Sequence, residues 1–438
     1  MSGYFWDKGL TDKFDALHSF SLLTLRTIWN ASPSLVSRRI PSEDEEDQAM
    51  FMEMMPPFSN GGTATFPGHI FFMSSDDDSK TPLIYFHVEG FPNNRFTYDP
   101  YHVEGDEIQT EKNLRILSHD DRQIYDSMRR TQLFNEEYKK FTGRSYLTNY
   151  PRAPPMHYMW RADHFGQTHW VVTKETHFTR IPPDVELNKV EGIGAQRILG
   201  PDSPRMLHDY RQEGTLNMTM KVLSCAPRVF EIPNFLSQVE VDHILKIASE
   251  ENLALSSTGL GNSADELDKT MTRTSYNSWV ERERSPIVDA VYRRAADLMR
   301  IDESLLRYRG EGEQEEILDP SSLAETLQLV HYDPGQEYTA HHDFGFSNAD
   351  DPIQGQRFAT LLLYLNEGMI GGSTSFPRWL NAETFEELHT VPAVGKAVLF
   401  YSQLPDGNMD DLSQHQANKV REGEKWLINL WVWDPLYV

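Results

Sequence analysis

The chain has 438 residues, a formal net charge of −25 and one cysteine, Cys225. Its length points to two domains, with ample apolar material for full-sized cores. The charge argues against a nucleic-acid partner, because phosphate-backbone binding depends on Lys and Arg neutralising phosphates. It fits a basic or neutral polypeptide substrate, although the commoner reason for such a balance is solubility. A single cysteine excludes an intrachain disulfide. No run of about 18 apolar residues exists, so no transmembrane segment is expected. The start, MSGYFWDKGL, lacks the basic residues and long apolar core of a signal peptide. That is compatible with the cytoplasm, and with a secretory lumen if a signal has been removed. Two sequons, Asn30-Ala31-Ser32 and Asn217-Met218-Thr219, matter only in the second case.

The N-terminal half opens with an apolar patch, Phe20–Leu25, expected as a short helix, and an acidic run, Ser42–Asp47, expected as a solvated loop. From Thr63 to Tyr101 the signals are those of strands. Ala64–Phe72 and Leu83–Val88 flank the polar stretch Ser74–Ser79, the pattern of a hairpin. The Pro67-Gly68-His69-Ile70-Phe71 stretch, within residues 62–88, resembles part of the von Hippel–Lindau β-domain. That resemblance implies a β-sandwich with a hydroxyproline- or protein-binding role. Lys112–Lys140 has helical composition, with Ile116, Leu117, Ile124, Met128 and Leu133 as candidate core residues. Residues 151–180 are rich in Pro, Trp and His. His157, His164, His169 and His177 are a rival metal set, but the five-residue step from His164 to His169 suits neither helix nor strand. Residues 181–225 read as a linker. The expected domains are therefore 1–220, mixed and with a small β-sheet near 60–105, and 221–438.

The C-terminal half begins with Phe230–Leu236 and a capping-box pattern, Ser237-x-x-Glu240. Val241, Ile244, Leu245 and Ala248 follow at helical spacing. Arg273–Tyr276 reads as a strand. Ser285-Pro286 starts a second helix, whose inner face is Val288, Val291, Ala295 and Leu298. An acidic loop, Gly310–Glu316, comes next. Short strands with Gly and Pro turns then dominate, clearest at Leu327–Tyr332, Ala359–Leu365, Ala397–Phe400 and Trp426–Trp433. Helices followed by many short strands indicate a β-sandwich or barrel with supporting helices.

The chemistry concentrates at Leu327–Asp343. In a strand, residues i and i+2 share a face, so His341 and Asp343 aim at one point while His342 points away. His415, ten residues before Lys425, offers a third ligand. Two histidines and one carboxylate with open positions form the facial triad of non-haem Fe(II) oxygenases. Lys425 shares strand parity with Leu427, Asn429 and Trp431, so all four should face inward. A cation there suits a buried carboxylate, which must be paired. The pair Gly371-Gly372 either lets backbone pass close to a ligand or makes a turn.

Several pieces now stand in order. They are Arg273-Thr274-Ser275; Tyr332-x-x-Gly335-Gln336-x-Tyr338-x-x-His341-x-Asp343; Arg357-Phe358-Ala359-Thr360; Gly371-Gly372-Ser373-Thr374-Ser375-Phe376; and His415 with Gly423-x-Lys425-Trp426. From about Pro227 onward the chain resembles the 2-oxoglutarate- and Fe(II)-dependent dioxygenases, and within them the prolyl 4-hydroxylase catalytic domain. The resemblance implies a double-stranded β-helix, or jelly roll, with His341, Asp343 and His415 as metal ligands. It implies that Lys425, helped by Tyr332 and Thr374, anchors the distal carboxylate of 2-oxoglutarate. Lysine at this place is similar to the collagen-type and algal enzymes. Arg273, Tyr338, Arg357 and Trp431 match positions near the peptide, the last three beside the reacting centre. An aromatic wall suits a proline ring in an extended polyproline conformation.

The implied reaction is hydroxylation of peptidyl proline at C4 with O₂, giving succinate and CO₂, with ascorbate rescuing idle turnovers. Two other readings share the residues: a related oxygenase acting on another protein side chain, and a catalytically silent scaffold on the same fold. The intact triad and Lys425 count against silence. Asn381–His389 and Pro405–Leu412 are longer or more acidic than a minimal version of the fold.

Overall fold

The computed structural model describes residues 94–147, 151–182, 209–256, 273–307, 322–345, 355–380 and 386–435. It also describes residue 58 and the stretches 21–27, 35–40, 50–55, 60–65, 70–75 and 82–88. They fall into two compact units, 1–149 and 150–438.

Seven strands build the first unit: β1 (Ser21–Thr27), β2 (Leu35–Ile40), β3 (Met50–Met55), β4 (Asn60–Thr65), β5 (Ile70–Ser75), β6 (Pro82–His87) and β7 (Asn94–Tyr98). They form a three-stranded sheet, β4-β1-β7, and a four-stranded sheet, β3-β2-β5-β6. The hairpin read from the sequence is β5–β6, with Phe71 opposite Phe86. Period-2 alternation places Phe71, Met73, Phe86 and Val88 on one face, where Phe96 and Tyr98 of the other sheet pack against them. Phe20–Leu25, expected as a helix, overlaps strand β1, which pairs with β4 on one edge and β7 on the other. A short apolar run is compatible with either element, and the non-local pairing decides it. The acidic run 42–47, and residues 66–69 and 76–81 of the segment that resembles a β-domain, lie outside the described residues.

Two helices follow, α1 (Glu107–Leu114) and α2 (His119–Thr142), where one was expected. Ser118 caps the second, its hydroxyl accepting from Asp121 N–H. The break rotates the apolar stripe. Leu114, Tyr125 and Met128 are buried with Tyr101, and Leu117 packs on them. Ile116, Ile124 and Leu133, read as core, are exposed.

The second unit contains strands β8 (Thr168–Thr173), β9 (Leu216–Cys225), β10 (Arg228–Ile232), β11 (Ala254–Leu255), β12 (Tyr276–Val280), β13 (Leu327–Tyr332), β14 (Tyr338–His341) and β15 (Gln356–Tyr364). They continue with β16 (Ile370–Gly371), β17 (Thr374–Leu380), β18 (Glu387–Thr390), β19 (Ala397–Tyr401), β20 (His415–Ala417), β21 (Val420–Glu422) and β22 (Lys425–Asp434). Its principal helices are α3 (Gln238–Glu250) and α4 (Pro286–Met299). A nine-stranded sheet, β11-β12-β13-β22-β15-β19-β10-β9-β8, accompanies a four-stranded sheet, β14-β20-β17-β18, and a two-stranded β16-β21 ribbon. All pairings are antiparallel, and the fold is the expected jelly roll with supporting helices. The boundary expected near residue 220 is displaced. Strand β8 pairs along its whole length with β9, so described residues once read as N-terminal domain or linker belong to the large sheet.

One face of that sheet packs on the helices and the other faces the small sheet. Strand β22 shows the division. Ile428, Leu430 and Val432 join the cluster that contains Val241, Ile244, Val288, Val291, Ala295 and Leu298. Leu427 points the other way, into a second cluster with Tyr332, Tyr364, Phe376 and Phe400. The inward parity expected for Lys425, Leu427 and Trp431 follows from the same alternation. The helix starts are as read: Ser237 and Glu240 form a reciprocal capping box, and Ser285 caps α4 with Pro286 in its first turn.

Glu240 does more than cap. It is fully buried, as is Arg294 of α4, and the two form a bidentate pair at 2.8 and 3.0 Å. Arg294 also donates to the carbonyls of Glu175, Thr176 and Phe235. Burial works against the Glu240 carboxylate, but Arg294 outweighs it and holds the acid below its ordinary range. One guanidinium thus fastens the segment after β8 to both helices. Glu240→Ala would leave that guanidinium buried without its anion. The expected cost is about 3–5 kcal/mol of unfolding free energy in urea titration; a loss under about 1 kcal/mol would show the pair to be dispensable.

Candidate active site

His341 ends β14 and His415 begins β20, and the two residues are register partners across the ladder. Asp343 lies just past the strand, so the three side chains converge. Their ligand atoms lie within 4.8 Å of one another. His341 Nε2 is 3.8 Å from Asp343 Oδ1, and His415 Nε2 is 3.6 Å from Oδ2. The other ring nitrogens are occupied. His341 Nδ1 is 2.8 Å from the Thr339 carbonyl, and His415 Nδ1 is 3.0 Å from that of Ser413. A carbonyl only accepts, so each Nδ1 carries the hydrogen and each Nε2 is the ring nitrogen left to face the common centre. Burial, with His415 nearby, pushes the His341 pKa well below its ordinary value, which keeps its Nε2 lone pair free. Burial opposes ionisation of Asp343, but attraction to His415 and His341 when these rings are protonated, to Arg357, and a 2.6 Å bond from Thr360 Oγ1 bring its pKa down to about 2. Two imidazole nitrogens and one carboxylate on one side of a point are a donor set suited to a divalent first-row metal with open positions. His342 points away, as its parity requires, and donates to the Asp411 carbonyl at 3.1 Å.

Lys425 starts β22 and is fully buried. Its Nζ has no hydrogen-bond partner among the described residues. Two aromatic rings flank it, with centroids at 5.3 Å for Tyr332 and 5.6 Å for Tyr364. Burial alone pushes its pKa down to about 7. Thr374 accepts from the Tyr364 hydroxyl at 2.9 Å, and Ser275 lies near the Tyr332 hydroxyl. Across the β17–β18 ladder from Thr374, Thr390 has a buried hydroxyl that also lacks a partner among the described residues. An amine and a hydroxyl left unsatisfied in one apolar interior form a receptor for an anionic oxygen group. Gly371 has φ +86°, and a Cβ there would lie 2.2 Å from the Lys419 carbonyl oxygen. A Cβ on Gly372 would meet Met369 at 3.1 Å and the Lys425 stem at 3.5 Å.

An aromatic and cationic rim surrounds the triad. Tyr338 stacks on His341 with centroids 3.5 Å apart, and the Arg273 guanidinium lies 4.7 Å from the Tyr338 centroid. Arg273 is buried and donates to Ser275 and Gln328. Arg357 lies 3.9 Å from the Trp431 centroid. It grips Glu325 through two bonds of 2.6 and 2.9 Å and reaches the Asp343 carbonyl at 3.2 Å. Trp431 is buried, and half-exposed Trp279 packs beside it with centroids 6.2 Å apart.

The family model described as the 2OG-Fe(II) oxygenase superfamily matches residues 327–433. Probable prolyl 4-hydroxylase 3 of Arabidopsis thaliana is 30% identical over 224 residues, which cover 48% of this chain and 71% of that relative. Probable prolyl 4-hydroxylase 8 of the same plant is 30% identical over 234 residues, covering 50% and 73% respectively. The chain belongs to the 2OG-Fe(II) oxygenase superfamily. Among solved structures, a 2OG complex of the viral collagen prolyl hydroxylase from Paramecium Bursaria Chlorella virus-1 matches 47% of this oxygenase and 95% of its own chain. It does so at 22% identity and a TM-score of 0.34.

Every candidate site residue of the oxygenase thus falls near the triad or near Lys425. Three of the four rival histidines are spent on the scaffold: His157, His169 and His177 bond the carbonyls of Trp433, Arg161 and Phe235. Sequence reading missed Thr360, Tyr364 and Glu325. The first two were within reach. Thr360, Leu362 and Tyr364 alternate along β15, so the polar members of that apolar run share the inward face. Glu325 gave no such signal, because its partner is 32 residues away. Glu311–Glu316 and residues 381–385 lie outside the described residues.

The orphaned amine makes a stability prediction. An unfolded lysine titrates near 10.5, against about 7 here. Between those values the unfolded chain holds more protons, so this group's contribution to ligand-free stability rises with pH across that window. Replacing Lys425 with Met removes the buried amine and should stabilise the ligand-free oxygenase by about 1–3 kcal/mol at pH 7. The advantage should shrink towards pH 10. Thermal melts at both pH values test this, and a destabilised Met variant at pH 7 would contradict it.

Proposed function

We propose that the oxygenase hydroxylates peptidyl proline at C4, binding Fe(II) at His341, Asp343 and His415 and 2-oxoglutarate against Lys425. The observation that carries the reading is the presence in one unit of a converged two-His, one-carboxylate set and a buried lysine with no partner among the described residues. Iron held there supplies activation of O₂, coupling decarboxylation of 2-oxoglutarate to succinate and CO₂ with transfer of one oxygen to the substrate. The chain's own residues supply the rest. Lys425 provides the charge that a buried dicarboxylate needs, and Tyr332 and Thr374 offer hydroxyl contacts beside it. Thr360 holds one oxygen of Asp343, leaving the other to face His341. Tyr338 covers one side of the His341 ring and excludes water from it.

Tyr338, Trp431 and Trp279 give flat apolar surfaces of the kind that receive a proline ring in an extended peptide. Arg357 and Arg273 supply donors for the peptide's carbonyls, each already oriented by a partner on the protein. The two relatives described above bear the name probable prolyl 4-hydroxylase, and lysine at position 425 agrees with the collagen-type resemblance. Ascorbate is expected to sustain turnover.

The test is mass spectrometry of a proline-rich peptide panel incubated with Fe(II), 2-oxoglutarate and ascorbate. A gain of one oxygen on proline, lost in His341→Ala, is the expected result. Succinate without modified proline would move the substrate to another side chain. Neither product from metal-loaded protein would refute the enzymatic reading for these peptides.

A further inference from the structure

The two metal-ligating segments come from distant parts of the chain, and the backbone ladder does little to set their separation. Strands β14 and β20 pair at Tyr338 with Ala417 and at His341 with His415, with an irregularity between the two pairs. Beyond His341 the ladder ends. His342 and Asp343 on one side, and residues 411–414 on the other, therefore need another tie.

Asp411 is where they meet. It opens the turn Asp411–Ser413 that leads into His415. Its carbonyl accepts from His342, the residue between His341 and Asp343, and its Oδ1 is 3.5 Å from the same ring nitrogen. Arg378 of β17 reaches across to this turn at both ends. It pairs with the Asp411 carboxylate and donates to Gln414 Oε1 at 2.8 Å. The turn so gripped contains Ser413, whose carbonyl fixes the His415 ring through Nδ1. Ser413 is held in turn by its hydroxyl bond of 2.6 Å to the Asp410 carbonyl. The side chains of Arg378, Asp411 and His342 are 13%, 15% and 9% exposed, so solvent screens the group little.

We propose that Arg378 is a positioning residue for the metal centre: by locking the Asp411–Gln414 turn it aims His415 and, through Asp411 and His342, holds the His341–Asp343 segment at ligating distance. This rests on the metal-site reading given above. Partners that orient metal ligands from behind ordinarily contribute about 10- to 100-fold in metal affinity. Arg378 acts on the metal-ligating segments through its bonds to Asp411 and Gln414 of the turn.

The experiment measures Mn(II) affinity by electron paramagnetic resonance and the visible spectrum of the Co(II)-loaded full chain, beside melting of the metal-free protein. Arg378→Met should weaken Mn(II) binding by about 10-fold or more and shift the Co(II) bands, while Arg378→Lys recovers most of the affinity. If Arg378→Met fails to fold, Asp411→Asn is read instead. It keeps the backbone bond to His342, loses the charge pair, and should weaken binding in the same direction. A folded variant with affinity within about 2-fold of wild type and an unchanged Co(II) spectrum would overturn the proposal. Wild-type protein that binds neither metal any better than His341→Ala would sink the metal-site reading itself, which separates the two failures.

Discussion

An ammonium group without a partner among the described residues, sealed inside a jelly roll, is the constraint around which the catalytic unit is built. Lys425 sits where its strand's alternation drives it inward, between two tyrosine rings and beside Gly372. A buried charge with no counter-ion is costly. Here the cost appears as a proton held weakly, and it becomes useful once a carboxylate enters. The metal-ligating set shows the same logic. Each histidine spends one nitrogen on a backbone carbonyl so that the other is left bare.

The surrounding architecture exists to keep those unsatisfied groups dry and in place. The large sheet puts one face on α3 and α4, whose Arg294–Glu240 pair is satisfied on every side. Its other face carries Tyr332, Tyr364 and Leu427 into the interior. The two clusters divide the work. One is apolar, tightly packed and anchored by a completed ion pair. The other contains the incomplete polar groups. Arg357 is intermediate: its fork to Glu325 leaves it oriented, while its flat face lies on Trp431.

Much of this was legible in the sequence because it follows from local periodicity. The i, i+2 spacing of His341 and Asp343, the parity of Lys425, and the Ser237–Glu240 box are patterns a strand or helix must obey wherever it sits. What could not be read depends on contacts between distant segments. Strand β8 looked like a histidine-rich loop because its partner β9 lies some 45 residues on, and only pairing makes it part of the sheet. β1 looked helical for the same reason. The expected helix at 112–140 split because Ser118 caps a new start, which turned Ile116 and Ile124 outward. Arg357 was recognised as important, but not that Glu325 would hold it.

The most direct test of this account is the titration of Lys425 itself, followed by NMR on selectively labelled lysine side chains with and without 2-oxoglutarate, using an inert divalent metal under anaerobic conditions. The account predicts an apparent pKa near 7 in the ligand-free protein and a large upward shift, towards or beyond the ordinary value of about 10.4, when the dicarboxylate is bound. A lysine that titrates near its ordinary value in both states would contradict it, because the amine would then be neither buried alone nor completed by the ligand.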